Sequence, residues 1–218
     1  MTKSYLPIFI LAGFSIVTMG FLCGKEYINT PQVPPVYQYT EKLTLTPFKK
    51  VYSINDTIQI QFQTTDKTLY DKLSGKRVPT DTTFLNIGFE LTRQNPIDFT
   101  LEKYAEVSVE NGLDTSFAPN IAPTDILSFH TACINEPYFF KVSFVLKKTG
   151  VYSLVPDALV APCPDKIVHL PSSMLFTFDL PDCNYDVWQA IADHSINGRD
   201  SYIDVGIATK EVFAFKVE

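Results

Sequence analysis

The sequence is poor in the residues from which most site chemistry is built. Its 218 positions hold three His, four Cys and one Trp, and 18 Lys plus Arg stand against 24 Asp plus Glu. The formal charge of −6 leaves no basic stripe to displace counterions, which excludes a nucleic-acid binder. No phosphate-cradling Gly loop, nucleophile elbow or zinc-protease helix motif occurs. Ala is scarce, 11 residues against 17 Val, 17 Ile and 21 Thr, a bias towards strands over helices. A chain that is 45% hydrophobic and 19% charged is neither disordered, nor a coiled coil, nor a multi-span membrane protein.

Residues 1–22 read as a signal or anchor segment, to be set aside before any fold reasoning. Lys3 is a short positive start, and Leu6 to Leu22 then runs without a charge. The run closes at Cys23, followed by Gly24-Lys25-Glu26. Three readings compete. In the favoured one Cys23 is the lipid-carrying residue of a bacterial lipoprotein, although Leu22 stands where a small residue is usual. In the second a signal peptidase cuts after Gly20, with Thr18 and Gly20 as its small residues. In the third the segment stays as an uncleaved anchor, just long enough to span a bilayer. All three place the rest of the chain outside the cytoplasm. Residues 23–36 read as a tether, stiffened by Thr30-Pro31-Gln32-Val33-Pro34-Pro35 because Pro fixes φ and disfavours helix before it. Residues 37–218 are left as one domain.

Within that domain the hydrophobic period is two. Ile58, Ile60 and Phe62 alternate with Gln59, Gln61 and Gln63, the pattern of a half-buried strand. Leu85-Ile87-Phe89-Leu91, Phe140-Val142-Phe144-Leu146, Met174-Phe176-Phe178-Leu180 and Phe213-Phe215-Val217 form four further stripes. Weaker strand candidates are Lys42 to Thr46, Ala105 to Val109, Val151 to Val155 and Ile203 to Ala208. Residues 111–125 have no clear period and read as a long loop. Val187, Trp188 and Ile191 share one helical face, with Asn184 or Asp186 as N-cap. Eight or nine short strands and one short helix predict an all-β sandwich.

Gly150-Val151-Tyr152-Ser153-Leu154, after the turn Lys147-Lys148-Thr149, resembles the entry to the F strand of immunoglobulin-like domains. The resemblance implies an immunoglobulin-like β-sandwich in which the Tyr152 hydroxyl bonds back to upstream backbone. The later Cys of that motif is Leu154 here. The whole layout, with Cys23-Gly24-Lys25, a Pro-rich spacer and the phrase Tyr52-Ser53-Ile54-Asn55-Asp56-Thr57-Ile58 ahead of the first strong strand, resembles the envelope lipoproteins of the Bacteroidota. That implies a lipid-anchored place in the cell envelope, on the outer membrane, and nothing about chemistry. Lys25-Glu26 is similar to an export cue of that group, and Asp56-Thr57-Ile58 and Asp81-Thr82-Thr83 to its O-glycan acceptor triplets.

Candidate chemistry is sparse. His130 and Cys133 sit three apart but lack a second ligand pair for a metal. His169 has no partner pattern, and His194 suits a helix C-terminus. Asp182, Asn184 and Asp186 alternate as in a calcium loop, with Asp193 as a closing carboxylate, but Val187 stands where the loop needs Gly. An oxidising compartment permits a disulfide, and Cys163 with Cys183, flanking one strand, is the expected pair. Buried free thiols are the alternative. Tyr27, Tyr37, Tyr39, Tyr70, Tyr104 and Tyr138 are candidates to stack on sugars or anchor a protein partner. These observations predict a protein that is not an enzyme and takes no cofactor or metal. Its partners are the membrane, through the lipid at Cys23, and a protein or glycan bound by the sandwich. The alternatives are a structural subunit of an envelope assembly and an envelope hydrolase.

Overall fold

A computed structural model describes residues 36–94, 97–110, 126–164, 172–192 and 201–218. The first strands are β1 (Tyr39–Thr46), β2 (Val51–Tyr52), β3 (Thr57–Gln63), β4 (Thr68–Asp71), β5 (Lys76–Pro79), β6 (Thr83–Gln94) and β7 (Ile97–Asp98). A helical turn, α1 (Leu101–Tyr104), leads into β8 (Ala105–Glu110), followed by β9 (Ile126–His130), β10 (Phe139–Leu146), β11 (Gly150–Pro162) and β12 (Ser172–Phe178). Helices α2 (Tyr185–Ala192) and α3 (Ser201–Ala208) precede the last strand, β13 (Phe213–Val217).

Two layers form. One is the antiparallel ladder β1–β3–β10–β8. The other is centred on β11, whose Tyr152 to Pro162 pairs with β6 on one side. On its other side β13 takes Gly150 to Leu154 and β12 takes Ala158 to Val160. Strand β1 belongs to both layers: Tyr39 to Leu43 runs parallel to β12, and Thr44 to Thr46 pairs antiparallel with β3. Read in immunoglobulin order, β1–β3–β10–β8 is the A–B–E–D sheet and β12–β11–β6 the G–F–C sheet. The immunoglobulin-like all-β sandwich expected from the sequence is the one that forms.

The alternating stripes supply the core. Phe62, Phe89, Phe144 and Phe178 are each at most 2% exposed. Rings meet across the layers: Phe62 on β3 lies 5.2 Å from Phe176 on β12, and Phe89 on β6 lies 6.1 Å from Phe140 and 6.0 Å from Phe144 on β10. Each such side chain contributes about 1.5–3 kcal/mol by leaving water. The intervening Gln61 and Gln63 are exposed, as period two requires.

Three departures from the sequence reading have local causes. Ile203 to Ala208, a strand candidate, lies within α3, and its Gly206 is packed so closely on Val212 that a Cβ there would sit 2.5 Å from the Val212 side chain. The hairpin β4–β5 was not foreseen, because all of β5 but the half-buried Val78 is exposed and so carries no apolar stripe. Strand β9 was also missed, although Leu127 and Phe129 alternate inward. The signal or anchor segment, Cys23, nearly all of the tether and residues 111–125 lie outside the described residues.

Candidate functional site

Tyr152 stands at the entry to β11 and is fully buried. Its hydroxyl donates to the Lys148 carbonyl at 2.9 Å, and burial pushes its pKa up to about 12. Its ring stacks on Phe215 at 5.5 Å and meets Tyr104 edge-on at 5.7 Å. This is the tyrosine corner expected from Gly150-Val151-Tyr152. Gly150 has φ +152°, and a Cβ there would lie 2.8 Å from Arg93 Nε.

Charge gathers around this corner. The Arg93 guanidinium lies 5.8 Å from the centroid of the Tyr104 ring, Lys148 Nζ 5.8 Å and Lys103 Nζ 5.6 Å. Asp98 accepts hydrogen bonds from Lys103 Nζ at 2.7 Å, from the Thr100 hydroxyl at 2.6 Å and from the Tyr104 hydroxyl. These donors, Lys103 foremost, hold its carboxyl well below the usual carboxylate range. Among the described residues Arg93 Nε is buried without a hydrogen-bond partner. Tyr104 was a candidate for exposure, but the α1 turn buries its ring.

A second polar cluster lies between β4–β5 and the start of β10. The Tyr138 hydroxyl sits 2.8 Å from Thr83 Oγ1 and 3.0 Å from Thr80 Oγ1, and the Tyr138 N–H donates to Thr64 Oγ1 at 2.9 Å. Lys67, 6% exposed, places its ammonium 3.8 Å from the centroid of the Tyr138 ring. Burial lowers its pKa to about 8. Nearby, Tyr37 and Tyr39 stack at 5.4 Å and line a shallow cleft with Pro79, Thr80, Thr83 and Val160. Of the candidate tyrosines among the described residues only Tyr70 is markedly exposed, while Tyr39, Tyr104 and Tyr138 belong to the core. The described tyrosines therefore form no common platform.

The expected bridge between Cys163 and Cys183 does not form. Cys163 is joined to Cys133, and Cys183 is a buried free thiol whose pKa burial raises to about 12. The reason is topological. Cys133 follows β9 and Cys163 follows β11, and the start of β6 pairs with both strands. Strand β12 starts beside Val160 and then carries the chain away at about 3.3 Å per residue. The bridge also removes Cys133 as a ligand or nucleophile, and His130 packs its ring on Phe84 at 5.8 Å.

The alternating oxygens at 182–186 are used structurally. Asp182 accepts from the Asn184 N–H at 2.8 Å. Asn184 Nδ2 donates to the carbonyls of Lys49 and Ala214. Asp186 pairs with Lys50 at 2.8 Å. Asn184 thus ties the start of α2 to β13 and to the turn after β1. Among the described residues no group of three or more His, Cys, Asp or Glu is placed to hold a metal ion, and no helix is long and apolar enough to cross a membrane. Tyr27, His169, Asp193 and His194 lie outside the described residues. Of the glycan acceptor triplets, Thr57 opens β3 and Thr82 sits in the turn before β6, both half-buried.

The outward face of the β11 layer carries a row of apolar side chains. Leu159 on β11 and Leu175 on β12 are each 39% exposed, and Tyr70 on β4 is 38% exposed. Each stands between two buried neighbours on its strand, so all three project away from the core. The sequence points to Tyr70 as a contact candidate but not to Leu159 or Leu175, which lie off the inward-facing stripes.

No family model matches the sequence, and no curated protein aligns with it. Among solved structures, the chain is similar to the B domain of a biofilm-associated protein at 9% identity and a TM-score of 0.25, covering 75% of this chain and 46% of that one. A family 123 glycoside hydrolase from Clostridium perfringens is similar at 12% identity and a TM-score of 0.25, covering 63% of this chain and 22% of that one. The chain spans less than half the length of either.

Proposed function

We propose that this protein is a lipid-anchored component of the cell envelope whose sandwich binds a partner and performs no catalysis. The observation that carries the reading is the Cys133–Cys163 disulfide, since such bridges persist in oxidising compartments. It agrees with the charge-free run that ends at Cys23 and the Pro-rich spacer behind it. A spacer of that kind lifts a domain off the bilayer. The row Tyr70, Leu175 and Leu159 gives the outward face of the β11 layer a partner-binding character, because exposed apolar side chains on a flat sheet gain by being covered.

The test is in-cell photo-crosslinking in native envelopes. A photoreactive residue replaces Leu175, and a control replaces Gln61 on the opposite layer. The protein is expected in the envelope fraction, with a discrete adduct from position 175 and none from 61. Recovery in the soluble fraction, or identical adducts from both positions, contradicts the reading.

A further inference from the structure

We infer that the tip of the β4–β5 hairpin, Lys72 to Lys76, is a second membrane contact. It seats Leu73 in the interfacial layer of an anionic bilayer, with Lys72 and Lys76 on the headgroups. The inference rests on the lipid-anchored reading above and adds to it the end of the domain that meets the lipid.

The tip is tied to the point where the chain enters the domain. The Gln38 N–H donates to Asp71 Oδ1 at 2.9 Å, and the Lys72 N–H donates to the Gln38 carbonyl at 2.8 Å. Only residues 24–35 separate Cys23 from Val36, and so short a stretch spans at most about 45 Å fully extended. A lipid on Cys23 keeps Gln38, and the tip bonded to it, near the bilayer, where even a weak second contact is populated.

The turn keeps its shape without using the side chain at its apex. Asp71 is 2% exposed, and its carboxylate accepts from the N–H groups of Gln38, Leu73 and Ser74. Gly75, at φ +67°, supplies the left-handed residue that closes the turn, and its N–H donates to the Asp71 carbonyl at 2.9 Å. None of these bonds needs a side chain at position 73, yet a leucine stands there 61% exposed. Val36, at the chain-entry end, is 73% exposed, and among the other large apolar residues described only Val205 is as exposed as Leu73. A bilayer needs no cavity to take up a convex turn. The apolar side chain enters the acyl boundary, and the polar groups around it stay among the headgroups.

Charge selects the lipid. Asp71 is the only acid between Thr68 and Pro79, and it is buried. Arg77 is neutralised by Glu41 at 2.9 Å. Lys72 and Lys76 are exposed and have no ion pair among the described residues. Two cations therefore flank Leu73 on a chain of net charge −6. Anionic headgroups attract such lysines, and a zwitterionic surface does not.

The experiment places an environment-sensitive NBD label on the full-length, lipidated protein in vesicles. Ser74→Cys carries the label at the tip, since Cys183 is buried and Cys133 and Cys163 are bridged. Val205→Cys carries it on α3, which leads to Lys210, whose carbonyl accepts from Phe178 at the far end of β12. With phosphatidylcholine–phosphatidylglycerol vesicles, the label at 74 is expected to shift to the blue and to resist quenching by aqueous iodide. The label at 205 is expected to do neither. Pure phosphatidylcholine, or high salt, should weaken the change at 74. Lys72→Gln and Lys76→Gln should each lower the ratio of docked to free tips about fivefold, and Leu73→Ser should abolish the blue shift. All three side chains are exposed, so the variants keep the fold, and melting temperatures check this. Flotation with the vesicles is measured alongside. Co-flotation with no change at 74, or with equal changes at 74 and 205, overturns the contact and leaves the anchor standing. A blue shift untouched in the Lys72→Gln/Lys76→Gln double variant overturns the anionic-lipid assignment. Failure to float with either vesicle overturns the anchored reading and this contact with it.

Discussion

The Tyr152 hydroxyl donates to the Lys148 carbonyl four residues upstream, and this bond closes the corner where β10 turns into β11. The ring beneath it contacts Phe215 and Tyr104, so one side chain fastens the turn to β13 and to the α1 segment. Tyr152→Phe keeps the ring and removes only the bond. It should cost about 0.5–1.5 kcal/mol in urea melts. Gly150→Ala acts separately, through a φ of +152° and the approach of Arg93, and should cost about 1–3 kcal/mol. A Tyr152→Phe variant as stable as wild type would show that the corner bond contributes nothing.

The two faces of β3 should respond differently to truncation. Phe62 meets Phe140 and Phe176, and Phe62→Ala should cost about 3–5 kcal/mol. Gln61→Ala, one residue away and exposed, should cost under about 0.5 kcal/mol. Equal losses contradict the register.

The β-sandwich was legible in the sequence because burial of one sheet face imposes period two, and Phe62, Phe89, Phe144 and Phe178 all obey it. What was not legible had no such imprint. Strand β5 is exposed in all but the half-buried Val78, so its ladder hydrogen bonds leave no apolar trace. In α3, Val205 and Ile207 alternate as a strand would, yet Ile207 is buried and Val205 is 61% exposed, and only packing against Val212 settles the helix. The disulfide was misassigned because nearness along the chain favoured Cys183, whereas pairing of β6 with both β9 and β11 brings in Cys133. The cationic corner was invisible, since Arg93, Lys103 and Lys148 meet around the Tyr104 ring only once the fold is formed.

Non-reducing peptide mapping should recover Cys133 and Cys163 in one linked fragment. Cys183 should react with iodoacetamide only after denaturation, because burial holds its thiol protonated and shielded. Closing a loop with a sequence separation of 30 should stabilise the fold by about 3 kcal/mol relative to Cys133→Ser/Cys163→Ser. A fragment linking Cys163 to Cys183 contradicts the structure.

Lys67 should give stability a distinct pH dependence. Its folded pKa of about 8 lies below the ordinary lysine value of about 10.4. The unfolded chain therefore binds more protons between those values, and this group's contribution to stability rises with pH across that window. Cys183, whose pKa is raised, opposes it as the pH passes the ordinary thiol value. The clean reading is the difference between wild type and Lys67→Met. That difference should shift in favour of wild type from about pH 8 upward. A flat difference curve shows that the ammonium is not desolvated over Tyr138.

The central claim is that the sandwich is held at a membrane by lipid on Cys23. The direct measurement is metabolic labelling of native cells with a clickable fatty acid, followed by mass analysis of the N-terminal peptide. The account predicts label on a peptide beginning at Cys23, absent in Cys23→Ser, with unprocessed precursor accumulating in that variant. Label persisting in Cys23→Ser, or a wild-type N-terminus at Phe21 without lipid, contradicts it.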